Sequence, residues 1–136
     1  MAGTGYSRTP LIKKLGIKPE MKILVVNKPG EYFDWLGADI SDQFISDKET
    51  PDLIHLFAES YATFKKEMIS VLKICKKNTS AIAWVSWYKK SAGISTDLSE
   101  NMIRDFALQH DLVDIKVCAV SEEWSGLKLV VPVSKR

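Results

Sequence analysis

The chain reads as an α/β protein, a three-layer sandwich whose mixed sheet of about five strands ends in an antiparallel hairpin. Three observations lead there. Apolar, strand-like runs at residues 22–27, 52–57 and 80–87 alternate with stretches that carry helical spacing or helix stops. The last third then alternates apolar and polar residues in two runs joined by a short loop, the pattern of a hairpin. Finally, 136 residues, 46% of them hydrophobic and 26% charged, suit one domain with one core.

Residues 1–8 are small and polar and are expected to form a flexible arm, leaving one domain over residues 9–136. Thr9 and Pro10 have the order of an N-cap and a first helical position, and Gly16 stops the short helix LIKKL. Ile23, Leu24, Val25 and Val26 follow in an unbroken apolar row. That predicts a strand covered on both faces, as in the centre of a parallel sheet. Pro29 is expected to open a short helix over EYFDWL, closed by Gly37. Residues 38–51 are polar apart from Phe44 and Ile45 and have room for one very short strand.

A second apolar strand, DLIHLF, runs from Asp52 to Phe57. From Tyr61 the period changes: Tyr61, Phe64, Met68, Val71, Leu72 and Cys75 fall on one face of a helix with a basic C-terminal end. The third strand covers residues 80–87. Its Trp84 and Trp87 are an odd number of residues apart, so they point to opposite faces. Asp97 and Glu100 have capping-box spacing ahead of a helix that carries Met102, Ile103, Phe106 and Ala107 on one side, with Arg104 and Asp105 facing solvent. The closing hairpin pairs Val113–Ala119 with the run from Leu127. Its loop holds Trp124, and Pro132 and Lys128 are placed to blunt an edge.

A net charge of +2 is too small to imply nucleic acid or a membrane surface, so neither partner is expected. Cys75 and Cys118 form no CxxC pair or disulfide framework, and no apolar run approaches the roughly eighteen residues of a span. A reducing, cytoplasmic setting is the expectation. His55 and His110 belong to no metal-binding pattern. No nucleophile elbow, GxGxxG or P-loop is legible. No catalytic residue is therefore assigned, and neither a metal nor a cofactor is expected.

Ligands in open α/β sheets bind outside the C-terminal ends of the parallel strands. Two loops fall there. The first, Asn27-Lys28-Pro29-Gly30, would offer free backbone N–H groups at a helix start, with Lys28 adding charge. The second runs from Trp87 and Tyr88 through Lys89, Lys90 and Ser91 to Gly93 and Asp97. Its lysines with Ser91 suit an anion, and its aromatic rings suit stacking on a flat group. The ligand-binding candidates are thus Asn27, Lys28, Gly30, Trp87, Lys89, Lys90, Ser91 and Asp97.

The stretches TPLIKKLGIKPEMKILVVNKPGEYFDWLG, AWVSWYKKSAG, TDLSENMIRDFALQHDLVDIKVCAV and WSGLKLVVP resemble a family of small bacterial proteins of unknown function, domain-of-unknown-function family 3052. The layout also resembles a class I S-adenosylmethionine-dependent methyltransferase, with GIKPEMKILVV in the place of the lead into the cofactor strand. The resemblance implies a Rossmann-like fold, methyltransferase-like but truncated. NKPGEY stands where that family has a Gly-rich loop. Residues 38–51 are too few for its next strand, helix and strand, and Asp47 or Glu49 would have to replace its ribose-binding acid. The reading that follows is a non-catalytic domain of degenerate methyltransferase-like fold that binds a small anion or a protein partner. The alternative is a methyltransferase variant with a shortened cofactor site. Oligomeric state is not encoded legibly.

Overall fold

The computed structural model describes residues 9–46 and 49–136. The arm expected over residues 1–8 and the role considered for Asp47 lie outside the described residues. Five strands form one mixed sheet: β1 (Ile23–Val26), β2 (Leu53–Phe57), β3 (Ile82–Tyr88), β4 (Val113–Ala119) and β5 (Trp124–Val130), in spatial order β1-β2-β3-β5-β4. β1, β2 and β3 run parallel, and β5 lies antiparallel to both β3 and β4. The turns after β1, β2 and β3 therefore leave the sheet at the same end, as a rim site requires.

Two long helices cover one face. α3 (Tyr61–Lys77) and α4 (Glu100–Gln109) press Phe64, Met68, Val71, Cys75, Ile103 and Ala107 onto Ile54, Leu56, Val85, Trp87, Leu127 and Leu129. This is the stripe that the helical spacing predicts. Ser60 caps α3 by accepting the Thr63 N–H, and Lys76 and Lys77 lie in its last turn. The other face carries the short helices α1 (Leu11–Lys14) and α2 (Tyr32–Leu36) over Leu53, Phe57, Trp84 and Trp124. There the Trp84 indole N–H donates to the Leu15 carbonyl at 2.9 Å, tying β3 to the end of α1. Trp84 and Trp87 do point to opposite faces, and both are buried.

Several expectations are corrected. Pro10, with an extended ψ of 143°, occupies the cap position of α1 in place of Thr9. β1 is an edge strand. Its row is apolar because Leu24 and Val26 pack against the helical face while Ile23 and Val25 pack against the other. Two-sided cover makes a run apolar however many neighbours the strand has. The polar stretch contributes one parallel bridge, Ile23 to Phe44, and the Ile45 N–H reaches the Ile23 carbonyl at 3.1 Å, which closes this edge.

Trp124 is the first residue of β5, not part of the hairpin loop. Its carbonyl accepts the Val120 and Ser121 N–H groups. β5 is also interior, so Lys128 guards no edge. The open edge is β4, blunted instead by a register shift between Asp114 and Lys116 and by Lys116 itself. Gly126 sits where the packing is tight: a Cβ there would stand 3.1 Å from Val120 Cγ2 and 3.2 Å from Trp84 Cε3, so those side chains would have to give by a few tenths of an ångström.

Candidate functional site

The rim divides into two neighbouring hollows, one on each side of Tyr88. The first, about 450 Å³, gathers Asn27, Lys28 and Gly30 with Glu31, Glu59 and Glu123. Asn27 adopts a left-handed φ of 60°, and its Nδ2 donates to the Phe57 carbonyl at 3.2 Å, stitching the end of β1 to the end of β2. A short polar side chain tolerates that conformation better than most. Lys28 leans toward α2, its Nζ 4.9 Å from the centroid of the Phe33 ring and 3.4 Å from the Pro29 carbonyl.

The helix expected to begin at Pro29 begins at Tyr32 instead, after a turn in which the Tyr32 N–H bonds the Pro29 carbonyl. The five residues of α2 are too short for an anion-binding N-terminus. Three carboxylates against one ammonium make this hollow acidic, so the geometry does not favour an anion here.

The second hollow is larger, about 910 Å³, within the range of small-molecule sites. It collects Trp87, Lys89, Lys90, Ser91 and Asp97, all the candidates of the second loop. It lies over the end of β3 and the start of α4. Ser99, not Asp97, caps that helix, its Oγ accepting the Met102 N–H at 3.3 Å. Asp97 instead bridges to the start of α3, its Oδ1 accepting the Tyr61 N–H at 2.9 Å.

Two more bonds pin the loop to residue 59. Tyr88 donates its hydroxyl to Glu59 Oε2 at 2.9 Å, and Thr96 Oγ1 donates to the Glu59 carbonyl at 2.7 Å. Nothing in the sequence pattern singles out Glu59 or Thr96. Ser99 carries the ordinary signal of a capping residue, outcompeted by the capping-box spacing of Asp97.

The rings expected to stack on a ligand are largely taken up by the fold: Trp87 is 7% exposed, and Tyr88 packs on Trp124 with centroids 4.2 Å apart. Burial, then the bond to Glu59, pushes the Tyr88 hydroxyl up to about 12, so it remains a donor. Burial, then the proximity of Lys14, holds the Lys89 ammonium below its usual range. Arg104 does not face solvent alone. It bonds Glu100, Asn101 Oδ1 at 2.9 Å and Asp114 Oδ2 at 3.0 Å, drawing the Glu100 charge into an ion pair.

Below the rim, three polar groups form a fully buried chain that the sequence does not announce. His55 Nδ1 lies 2.9 Å from the Tyr32 hydroxyl, and His55 Nε2 lies 2.7 Å from Ser86 Oγ. Burial pushes the imidazole down to about 3 and raises the Tyr32 phenol, so both stay neutral at ordinary pH. All three residues are sealed from solvent, which makes the chain structural. Among the described residues no cluster of three His, Cys, Asp or Glu side chains is placed to hold a metal ion, and no helix is long and apolar enough to cross a membrane.

No family model matches the chain, and no curated protein matches it. Solved structures do. One from Sulfolobus solfataricus, provisionally described as a type 11 methyltransferase, superposes with a TM-score of 0.53 at 20% identity, covering 85% of this chain and 87% of that one. A protein of the NADB-Rossmann superfamily from Streptococcus agalactiae gives a TM-score of 0.50 at 7% identity, over 92% of this chain and 69% of that one. At such identities the likeness speaks for architecture: the chain has a Rossmann-like, methyltransferase-like α/β fold.

Proposed function

We propose that this chain is a non-catalytic, cytoplasmic domain that binds a small anionic ligand at its rim, and that it is a small bacterial protein of the family 3052 type. The family reading rests on the four sequence stretches that resemble that family. The anion reading rests on one observation: the larger hollow joins Lys89, Lys90 and several hydroxyls to the N-terminal end of α4, and of its two carboxylates Glu100 is paired with Arg104 while Asp97 accepts the Tyr61 N–H. Positive charge, hydroxyl donors and a helix N-terminus together select an oxyanion. Lys90 is exposed and takes part in no ion pair among the described residues, so its charge is available to a ligand.

Titration calorimetry against inorganic phosphate, citrate and a nucleoside triphosphate tests this. Binding is expected for at least one of them, with Lys90→Ala weakening it about three- to tenfold, as for a partly solvated charge-assisted contact. No heat from any of the three, or an unchanged affinity in Lys90→Ala, contradicts the reading. A protein partner carried by the same rim is the companion possibility, and a pull-down competed by the bound anion would reveal it.

A second reading, a methyltransferase variant with a shortened cofactor site, is favoured by the fold likeness and by the acidic hollow after β1. Glu31, Glu59 and Glu123 suit the positive sulfonium and ammonium of S-adenosylmethionine. The fit is partial. NKPGEY lacks the Gly-rich turn, and a Cβ at Gly30 would meet nothing within 4 Å, so no tight backbone cradle is built there. A ligand that binds only the folded state must raise the melting temperature by mass action. No rise with millimolar S-adenosylmethionine or its demethylated product removes this reading.

A further inference from the structure

The outward face of α3 carries charge that the helix itself does not call for. Lys65, Lys66, Lys73, Lys76 and Lys77 are all exposed. At 3.6 residues per turn they fall within an arc of about 120°. Ile69, 57% exposed, lies near the middle of that arc. Glu67, the only acidic residue of α3, falls outside it. Surface lysines on a helix are normally offset by acidic residues three or four positions away. None of these five has one, and Lys73 has Lys76 and Lys77 at those spacings instead. The helix dipole accounts for Lys76 and Lys77 in the last turn. It gives no reason for Lys65, Lys66 or Lys73.

The fold does not neutralise the row either. Among the described residues none of the five lysines joins an ion pair. Lys65 Nζ stands 4.6 Å from the centroid of the Tyr61 ring. Asp111 feels the charge of Lys76, yet it bonds Lys135 at 2.9 Å. The net charge of +2 therefore conceals a strongly segregated face.

The shape of the patch selects its partner. α4, the other long helix on this side of the sheet, exposes Asn101, Asp105, Leu108 and Gln109, and its Arg104 is taken by Glu100 and Asp114. The basic character is thus confined to one row, about 18 Å long from Lys65 to Lys77 at about 1.5 Å per residue. A planar lipid surface would meet the acidic residue of α4 as well. A linear polyanion can follow the row alone. Over about 18 Å each strand of a duplex presents about five phosphates, one per roughly 3.4 Å.

We propose that the outward face of α3 docks on the phosphate backbone of a nucleic acid through Lys65, Lys66, Lys73, Lys76 and Lys77. Contacts of this kind fix position and carry no sequence information. The docking is independent of the anion reading of the rim, since none of the five lysines lines the larger hollow.

The experiment is fluorescence anisotropy of a labelled DNA duplex and a labelled single-stranded RNA, each titrated with the whole chain between about 50 and 200 mM salt. Dissociation constants of about 10⁻⁶ to 10⁻⁴ M are expected. For the duplex, log K should fall against log salt with a slope of about −3 to −4.5, as for about three to five neutralised phosphates. The double variant Lys66→Gln, Lys73→Gln should flatten the slope by about one and a half to two. Both side chains are exposed, and the thermal midpoint verifies that the variant is folded. Binding to only one of the two nucleic acids supports the docking and identifies the strand type. No binding to either at about 50 mM salt overturns it. So does a slope that the double variant leaves unchanged, which would place the charge contact elsewhere. Binding to phosphatidylserine vesicles with none to either nucleic acid overturns it in favour of a lipid surface.

Discussion

The two faces of the sheet are covered by unlike layers. On one, α3 and α4 lay down an apolar surface of Phe64, Met68, Val71 and Ile103, and the rim above it ends in a donor-rich hollow. On the other, α1 and α2 cover a core of aromatic rings threaded by the Tyr32–His55–Ser86 chain, and the rim above it ends in an acidic hollow. Long helices bury enough apolar area to hold their face without directional bonds. Short helices bury less, and on their face the aromatic core is supplemented by hydrogen bonds of fixed geometry: Trp84 to Leu15, and His55 to Tyr32 and Ser86.

That contrast is open to attack in order of expected effect. The largest change belongs to the apolar face. Phe64 is fully buried and meets Phe106 edge-on at 5.0 Å, so Phe64→Ala should lower stability by about 3–5 kcal/mol in urea unfolding. A loss below about 1 kcal/mol would mean that the helical layer is not the main source of cohesion.

Next comes the polar face. Ser86→Ala strands His55 Nε2 in the interior and should cost about 1–3 kcal/mol by the same measurement, with little change in the urea m-value. The same histidine makes this face acid-sensitive. Its folded pKa lies far below its unfolded one, so as pH falls below about 6.5 the unfolded chain takes up the proton first. Its contribution is fully present above that pH and is lost as pH falls toward about 3. Stability should therefore decline by up to about 1.4 kcal/mol per pH unit across this window from His55 alone. His55→Leu should flatten the slope, and an unaltered slope would show that other groups dominate acid unfolding. The smallest effect is the cap of α4: Ser99→Ala should cost about 1 kcal/mol, read by the shift in thermal midpoint.

The two faces were also unequally legible. The α3 stripe from Phe64 to Cys75 could be read from spacing alone, because a helix that packs over seventeen residues repeats its message several times. The polar face has no repeat to read. His55 is one imidazole in a strand of five buried residues, and only the rule that a buried polar group needs partners hints at Tyr32 and Ser86, which lie 23 and 31 residues away. The edge position of β1 was hidden for a similar reason, since its outer neighbour is a single bridge at Phe44.

At the rim, the sequence placed Trp87, Lys89, Lys90, Ser91 and Asp97 in one hollow because they share one loop. It could not show that Asp97 bonds Tyr61 or that Ser99 takes over the cap. Both depend on how α3 and α4 dock against the end of β3.

The most direct test of the binding claim is a crystal structure of the protein grown or soaked with whichever of phosphate, citrate or the nucleoside triphosphate binds in calorimetry. The account predicts that anion in the larger hollow, with an oxygen about 3 Å from the Lys90 ammonium. The same anion lodged instead beside Asn27 and Glu31, or an empty hollow between residues 90 and 101 at saturating anion, would contradict it.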